Sequence, residues 1–219
     1  MKRRALCWVS LVFGLTLLAE LPASWLAAGM RLPAQGVSGT LWQGQVLQVA
    51  DVGPIQWHWR PWQRDLHIRL GFQGQAWQLG LGGWPWRWQA ELQALGAQHS
   101  VAAGYRLAGQ WQGRIDVQGA GFSCQRATGS IMVTDLAMRE PWSLALGHGS
   151  LVVACAKGVH AIAQLSQDGQ HQLRLEADLA RRSAQVDLEL QADAALIPVL
   201  RAGQWLGEDS RAGRKTVRW

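Results

Sequence analysis

The chain has 219 residues, enough for one sizeable domain, and its formal charge of +6 and pI near 10 are carried largely by its ends. Lys2, Arg3 and Arg4 at one terminus and Arg211, Arg214, Lys215 and Arg218 at the other supply seven of 21 cations, so residues 5–210 hold 14 cations against 15 anions. A nucleic-acid-binding domain needs a basic face on its folded part, because phosphate neutralisation supplies most of the affinity, and this neutral middle excludes a nucleic-acid partner.

Fourteen Trp beside one Tyr and three Phe is an extreme bias toward large rings with one polar N–H, which favour strands and interfaces. Gly at 25 residues with only seven Pro suits turns and bulges between short strands, not a disordered low-complexity chain.

Residues 1–4 form a basic tip. Residues 5–19 (ALCWVSLVFGLTLLA) are apolar and uncharged, and beyond Glu20 and Pro22 the apolar sequence continues to Met30. A helix rising about 1.5 Å per residue needs roughly 20 residues to cross the hydrocarbon core, so residues 5–28 are predicted to be a transmembrane signal anchor that borrows the turn around Glu20. Three cations precede it and only Arg31 follows before Asp51. That asymmetry puts the N-terminus in the cytoplasm and the rest in the periplasm, with the protein a single-pass component of a bacterial inner membrane. The rival is a cleaved signal peptide ending at Ala27-Ala28-Gly29, although Trp25 and Leu26 are bulky where such a region is small and polar. Both readings export the same domain. Residues 29–35 read as a linker, 36–193 as the exported β-sheet domain, and 194–219 as a short helix limited by Pro198 with a basic tail.

From residue 36 apolar and polar residues alternate with period two, the mark of strands with one covered and one wet face. Ile55, Trp57 and Trp59 alternate with Gln56, His58 and Arg60; beyond Pro61, Leu66, Ile68, Leu70 and Phe72 alternate with His67, Arg69 and Gln73. Two paired strands follow. Trp84, Trp86, Trp88, Ala90 and Leu92 read as one further face, with Pro85 at a strand end or edge. Trp111, Ile115 and Val117 oppose Gln112, Arg114, Asp116 and Gln118.

Later, Val159, Ala161, Ala163 and Leu165 precede Asp168-Gly169, and Leu173, Leu175, Ala177 and Leu179 follow it. Paired residues share a face, so odd-numbered sets on both sides demand a loop of odd length. A three-residue loop at 167–169 satisfies this and pairs Ala163 with Leu173 and Ala161 with Leu175. Ala184, Val186, Leu188 and Leu190 give a further strand. About eight to eleven short strands with no helices between them predict a mainly β fold, a curved, half-closed and mostly antiparallel sheet of hairpins.

Of the three cysteines, Cys7 lies in the apolar segment, and Cys124 and Cys155 form an even pair in an oxidising compartment, which predicts a disulfide. His58, His67, His99, His148, His160 and His171 lack the spacing of a zinc helix and mostly alternate with apolar strand residues, so no metal site is expected. Gly80-Leu81-Gly82-Gly83 and Gly119-Ala120-Gly121 lack the third glycine and following helix of a dinucleotide site, and Ser38 and Ser150 sit in no nucleophile elbow. Glu176, Asp178, Asp187 and Glu189 lie on strand faces with Arg174, Arg181 and Arg182 nearby, which reads as a solvated, charge-balanced face and not a calcium site. No cofactor and no catalytic residue emerges, so no enzymatic activity is expected.

The opening Gly36-Val37-Ser38-Gly39-Thr40-Leu41-Trp42-Gln43-Gly44 resembles the start of the periplasmic domain in the type II secretion system protein N family. The order that follows is similar too: the Trp57-His58-Trp59 strand, two exported cysteines around Thr128-Gly129-Ser130, and a basic tail containing Gly213-Arg214. The resemblance implies a bitopic inner-membrane accessory subunit that supports assembly of the secretion machine, with other machine subunits in the inner and outer membranes as partners and no catalytic residues.

A second expectation competes with this one. A long sheet with one apolar face also resembles AsmA-like envelope proteins, which implies a lipid-binding groove. The residues on which the two readings turn are Trp57, Trp59, Trp84, Trp86 and Trp88, as interface or groove candidates. A continuous open groove of Trp and Leu favours lipid; a face covered by the chain's own sheet or tail favours a scaffold.

Overall fold

The computed structural model describes residues 8, 12–14, 16–17, 19–29, 31–98, 105–141, 143–155, 158–207 and 209–219. The described positions from 8 to 19 are helical, and the run ends in a turn at Glu20, whose N–H donates to the Thr16 carbonyl at 3.0 Å. Pro22, with no N–H to continue a helix, instead forms a bridge to Thr40. Helix α1, Ala23–Gly29, begins afresh after it. The helical conformation expected across residues 5–28 is thus broken at residues 20–22. Among the described residues no helix is long and apolar enough to cross a membrane, and residues 1–7, 9–11, 15 and 18 of the expected tip and anchor lie outside them.

Beyond α1 the protein is mainly β. Strands β1 (Ala34–Gln35) and β4 (Gln48–Val49) form a small pair, and thirteen others form one antiparallel sheet. Its strands are β2 (Ser38–Gly39), β3 (Gln43–Val46), β5 (Ile55–Arg60), β6 (Asp65–Phe72), β7 (Gln75–Trp84), β8 (Arg87–Ala97) and β9 (Arg106–Ala120). They continue with β10 (Ser123–Glu140), β11 (Leu144–Cys155), β12 (Val159–Gln167), β13 (His171–Asp178), β14 (Ser183–Leu190) and β15 (Ala212–Arg218). The spatial order is the sequence order from β2 to β15 with β4 omitted, and the sheet is not closed. The count exceeds the eight to eleven expected because the two-residue strands carry too little alternation to be read and β15 lies in the cationic tail.

Register sorts the side chains as the alternation requires. One apolar row runs Gly44, Trp57, Ile68, Leu79, Leu92 and Ile115, and another runs Trp111, Val133, Gly149, Leu165, Leu173 and Leu188. The interleaved row Gln45, Gln56, Arg69, Gln78, Gln93 and Arg114 occupies the opposite, wet face. Two expected registers differ. Ala163 pairs with Leu175 and Leu165 with Leu173, so the odd loop is Asp168-Gly169-Gln170, not 167–169. The Gln170 carbonyl accepts from Gln191 N–H and its side chain from Ala195 N–H, and these ties hold Gln170 in the loop. Likewise Trp84, Trp86 and Trp88 do not share a strand: Trp84 ends β7, Pro85-Trp86 make the turn, and Trp88 lies in β8. Trp84 pairs with Arg87 and Gly83 with Trp88, so Trp84 and Trp88 occupy opposite faces.

Residues 194–219 join the same domain. Helix α2, Ile197–Ala202, starts with Pro198 in its first turn, where a missing N–H costs nothing. Ala194, Leu196, Ile197 and Leu206 pack on Val133, Leu136, Leu146 and Leu190 to form the buried core, with Leu165 and Leu173 against it. The cationic tail becomes edge strand β15, where Lys215 reaches over the Trp205 ring at 4.6 Å and charged side chains guard an unpaired edge.

Cys124 and Cys155 are disulfide-bonded. They join β10 and β11 where the ladder between those strands has stopped at Ser130–Val152.

Candidate functional site

Among the described residues, the chain's own C-terminal segment covers the apolar face only over the β9–β14 half. Over β5–β8, Trp57, Leu66, Ile68, Leu79 and Leu92 are half-buried, and Leu81 is exposed. The covering segment and the open half were not separable in the sequence, because both present the same alternation.

The five candidate tryptophans divide into two kinds. Trp57 and Trp88 lie flat on glycines of the neighbouring strand, their register partners Gly44 and Gly119, where an added Cβ would collide with the indole. Each indole then donates to a carbonyl near that glycine, Trp57 to Leu41 at 3.2 Å and Trp88 to Gly121 at 2.9 Å. A large ring over a strand glycine restores the packing that the missing side chain forfeits, so these two rings are parts of the sheet.

Trp59, Trp84 and Trp86 stand instead at one end of the sheet. Trp59 packs on Trp42 with ring centroids 5.3 Å apart, and Trp62 adds to the same cluster at 6.4 Å from Trp42. Trp84 and Trp86 stack at 4.5 Å across their turn, and the Arg64 guanidinium sits 3.1 Å above the Trp84 ring. Asp65 pairs with Gly82, which places the 60–65 and 84–87 turns side by side. The 120–123 turn lies on the same end, since Gly121 N–H donates to the Pro85 carbonyl at 2.7 Å, and Phe122 at its tip is fully exposed. The N-terminal segment also arrives here. Trp42 donates its indole N–H to the Ala19 carbonyl at 3.0 Å, and Leu41 N–H donates to the Leu21 carbonyl at 3.0 Å.

The wet face offers little chemistry. A shallow hollow of about 550 Å³ is bordered by Ser38, Gln45, Gln56, His58, His67 and Arg69. His67 lies 3.0 Å from Asp65, and Ser166 lies 2.9 Å from His148, both pairs on the solvated surface. No carboxylate orients His148 among the described residues, and none of them form a group of three or more metal-ligating side chains. Arg174 pairs with Glu176, Arg214 with Asp187 and Arg181 with Asp178. The Arg214 hydrogen bond holds the Asp187 carboxyl below the usual carboxylate value.

Two polar residues carry structural weight that the alternation did not show. Gln73, in the β6–β7 turn, accepts from Leu107 N–H at 2.8 Å and donates to the Tyr105 carbonyl at 3.2 Å, tying that turn to β9. This tie lies beyond the last β8–β9 pair, Gln93–Arg114, and beside it Trp77 meets Trp111 edge-on at 5.4 Å. His171 is 6% exposed, in phase with Leu173 and Leu175, with Nε2 3.2 Å from the Leu146 carbonyl. Burial pushes its pKa below the ordinary imidazole value.

Residues 30–218 match the family model described as type II secretion system protein N. The chain belongs to that family. Membership places it in the bacterial envelope among the components of the type II secretion machine. The family is a secretion-system component and not a known enzyme family. No curated protein and no solved structure matches the chain significantly.

Proposed function

We propose that this N-family protein is a non-enzymatic accessory and assembly subunit, held in the inner membrane by residues 5–28 with its β domain in the periplasm. The observation that carries the reading is the family match across nearly the whole chain. The anchor is supported by the apolar run itself and by Trp8, Val12, Phe13 and Leu17, all more than half exposed along the helical stretch. An oxidising compartment is supported by the Cys124–Cys155 bond. The half-covered face supports a scaffold that buries part of its apolar surface itself and offers the β5–β8 half to another subunit of the machine.

Affinity-tagged full-length protein, solubilised from cross-linked membranes, should retain inner-membrane or outer-membrane subunits of the machine, and a C-terminal alkaline phosphatase fusion should be active. An inactive fusion sinks the topology. Retention of no machine subunit sinks the scaffold. The open β5–β8 half also favours the second reading, an AsmA-like lipid-binding protein. Phospholipid extracted stoichiometrically from the purified chain, with no machine subunit retained, would promote it.

A further inference from the structure

We propose that the sheet end carrying the 60–65, 84–87 and 120–123 turns rests on the phospholipid surface of the membrane that holds residues 5–28. In an up-and-down antiparallel sheet every second turn falls on the same end, so these three turns are neighbours by topology. Their tips expose Trp62 at 75%, Trp86 at 64% and Phe122 at 109%, with Trp59 and Trp84 beside them. The loop holding Trp42 ties this same end to the carbonyls of Ala19 and Leu21, on either side of the turn at Glu20 that ends the first helical stretch. The turns Gln73-Gly74 and Asp168-Gly169-Gln170 at the opposite end are polar.

The chemistry of the tips fits a lipid headgroup layer. Indole rings combine a large apolar body with one N–H and concentrate at the boundary between hydrocarbon and water. The 60–65 and 84–87 turns also bring Arg60, Arg64 and Arg87 against a single carboxylate, Asp65, an excess of positive charge suited to phosphate. Arg64 stacked over Trp84 keeps its guanidinium at the level of the rings. Neighbouring strands rotate by roughly 20–25°, so a thirteen-stranded end cannot lie flat on a plane. Contact is confined to the turns nearest the tether, and the farther tips, Leu179 and Trp219, turn away.

The proposal rests on the anchor reading for the tether and for which membrane is touched, and one experiment separates them. The full chain carrying Cys7→Ser and Gln63→Cys, labelled with a nitroxide, is reconstituted in phosphatidylethanolamine–phosphatidylglycerol vesicles. The same label at Asp168→Cys reports the opposite end. Accessibility to oxygen against a water-soluble nickel chelate should place the Gln63 label at headgroup depth and the Asp168 label in water. Adding Trp62→Ser and Trp86→Ser should return the Gln63 label to water, while circular dichroism of the variant remains that of the folded chain. An aqueous Gln63 label in protein that stays with the vesicles through an alkaline wash overturns the proposal and leaves the anchor standing. A label at headgroup depth in protein that the wash strips supports the proposal and removes the anchor.

Discussion

Truncating Trp57 and Trp86 separates a ring that builds the sheet from one that projects from it. Trp57 is half-buried over Gly44, and its indole donates to Leu41. A fully buried Trp→Ala change costs about 3–5 kcal/mol, half-burial reduces that to about 2, and the lost hydrogen bond adds about 1. Trp57→Ala should therefore cost about 3 kcal/mol, or about 6–12 °C in Tm for a domain of this size. Trp86 is 64% exposed and loses mainly its stack on Trp84, worth about 1 kcal/mol, so Trp86→Ala should lower Tm by about 2–4 °C. Thermal unfolding of the full chain in detergent, disulfide intact and followed by circular dichroism, measures both. A cycle with Gly44→Ala sharpens the test, since an added Cβ should be tolerated better once the indole is gone. Equal losses for Trp57→Ala and Trp86→Ala, or no coupling between positions 44 and 57, would refute the seating of Trp57 on the glycine.

Two further outcomes are expected. The Cys124–Cys155 bond closes a loop with a sequence separation of 31, so Cys124→Ser should destabilise the fold by about 3–4 kcal/mol on the chain-entropy estimate; an unchanged Tm would show that β10 and β11 hold together without the staple. The folded His171 has a pKa below the imidazole's ordinary 6.5, so the unfolded chain takes up its proton first as pH falls, and the stability present above that value is lost on acidification toward the lowered one. His171→Gln should flatten the pH dependence of Tm in that window, and a variant with the wild-type slope would exclude His171 as its source.

Strand faces were legible where one strand's parity sufficed: Trp57 does pair with Ile68, and Trp59 with Leu66. Parity misled at residues 84–88, because a two-residue turn pairs an even residue with an odd one, as Trp84 with Arg87, and so exchanges the faces. At 167–171 parity fixed an odd loop but left two registers, and the choice was made by residues 191 and 195, far along the chain. The cover over β9–β14 was hidden for the same reason. Leu196, Ile197 and Leu206 show their burial only once the sheet is built beneath them. Charge concealed β15, although Gly213, Lys215 and Val217 alternate with Arg214, Thr216 and Arg218. The candidate tryptophans were visible as a set, but their division between glycine seats and turn tips depends on register.

The matching of spatial order to sequence order has a consequence for the export proposed above. A chain delivered across a membrane from its N-terminal end presents each strand from β5 onward to a partner that has already emerged. The ladder can grow by successive hairpin addition, each step closing a short loop, and no strand is held unpaired while awaiting a distant one. Cys124 acquires its mate only when β11 has emerged, so oxidation fastens a ladder already begun. Residues 191–211 follow β9–β14 in the chain, which leaves that half of the apolar face without its cover until all six strands have emerged. That late interval is when the emerging sheet is most open to capture by a chaperone or by another subunit.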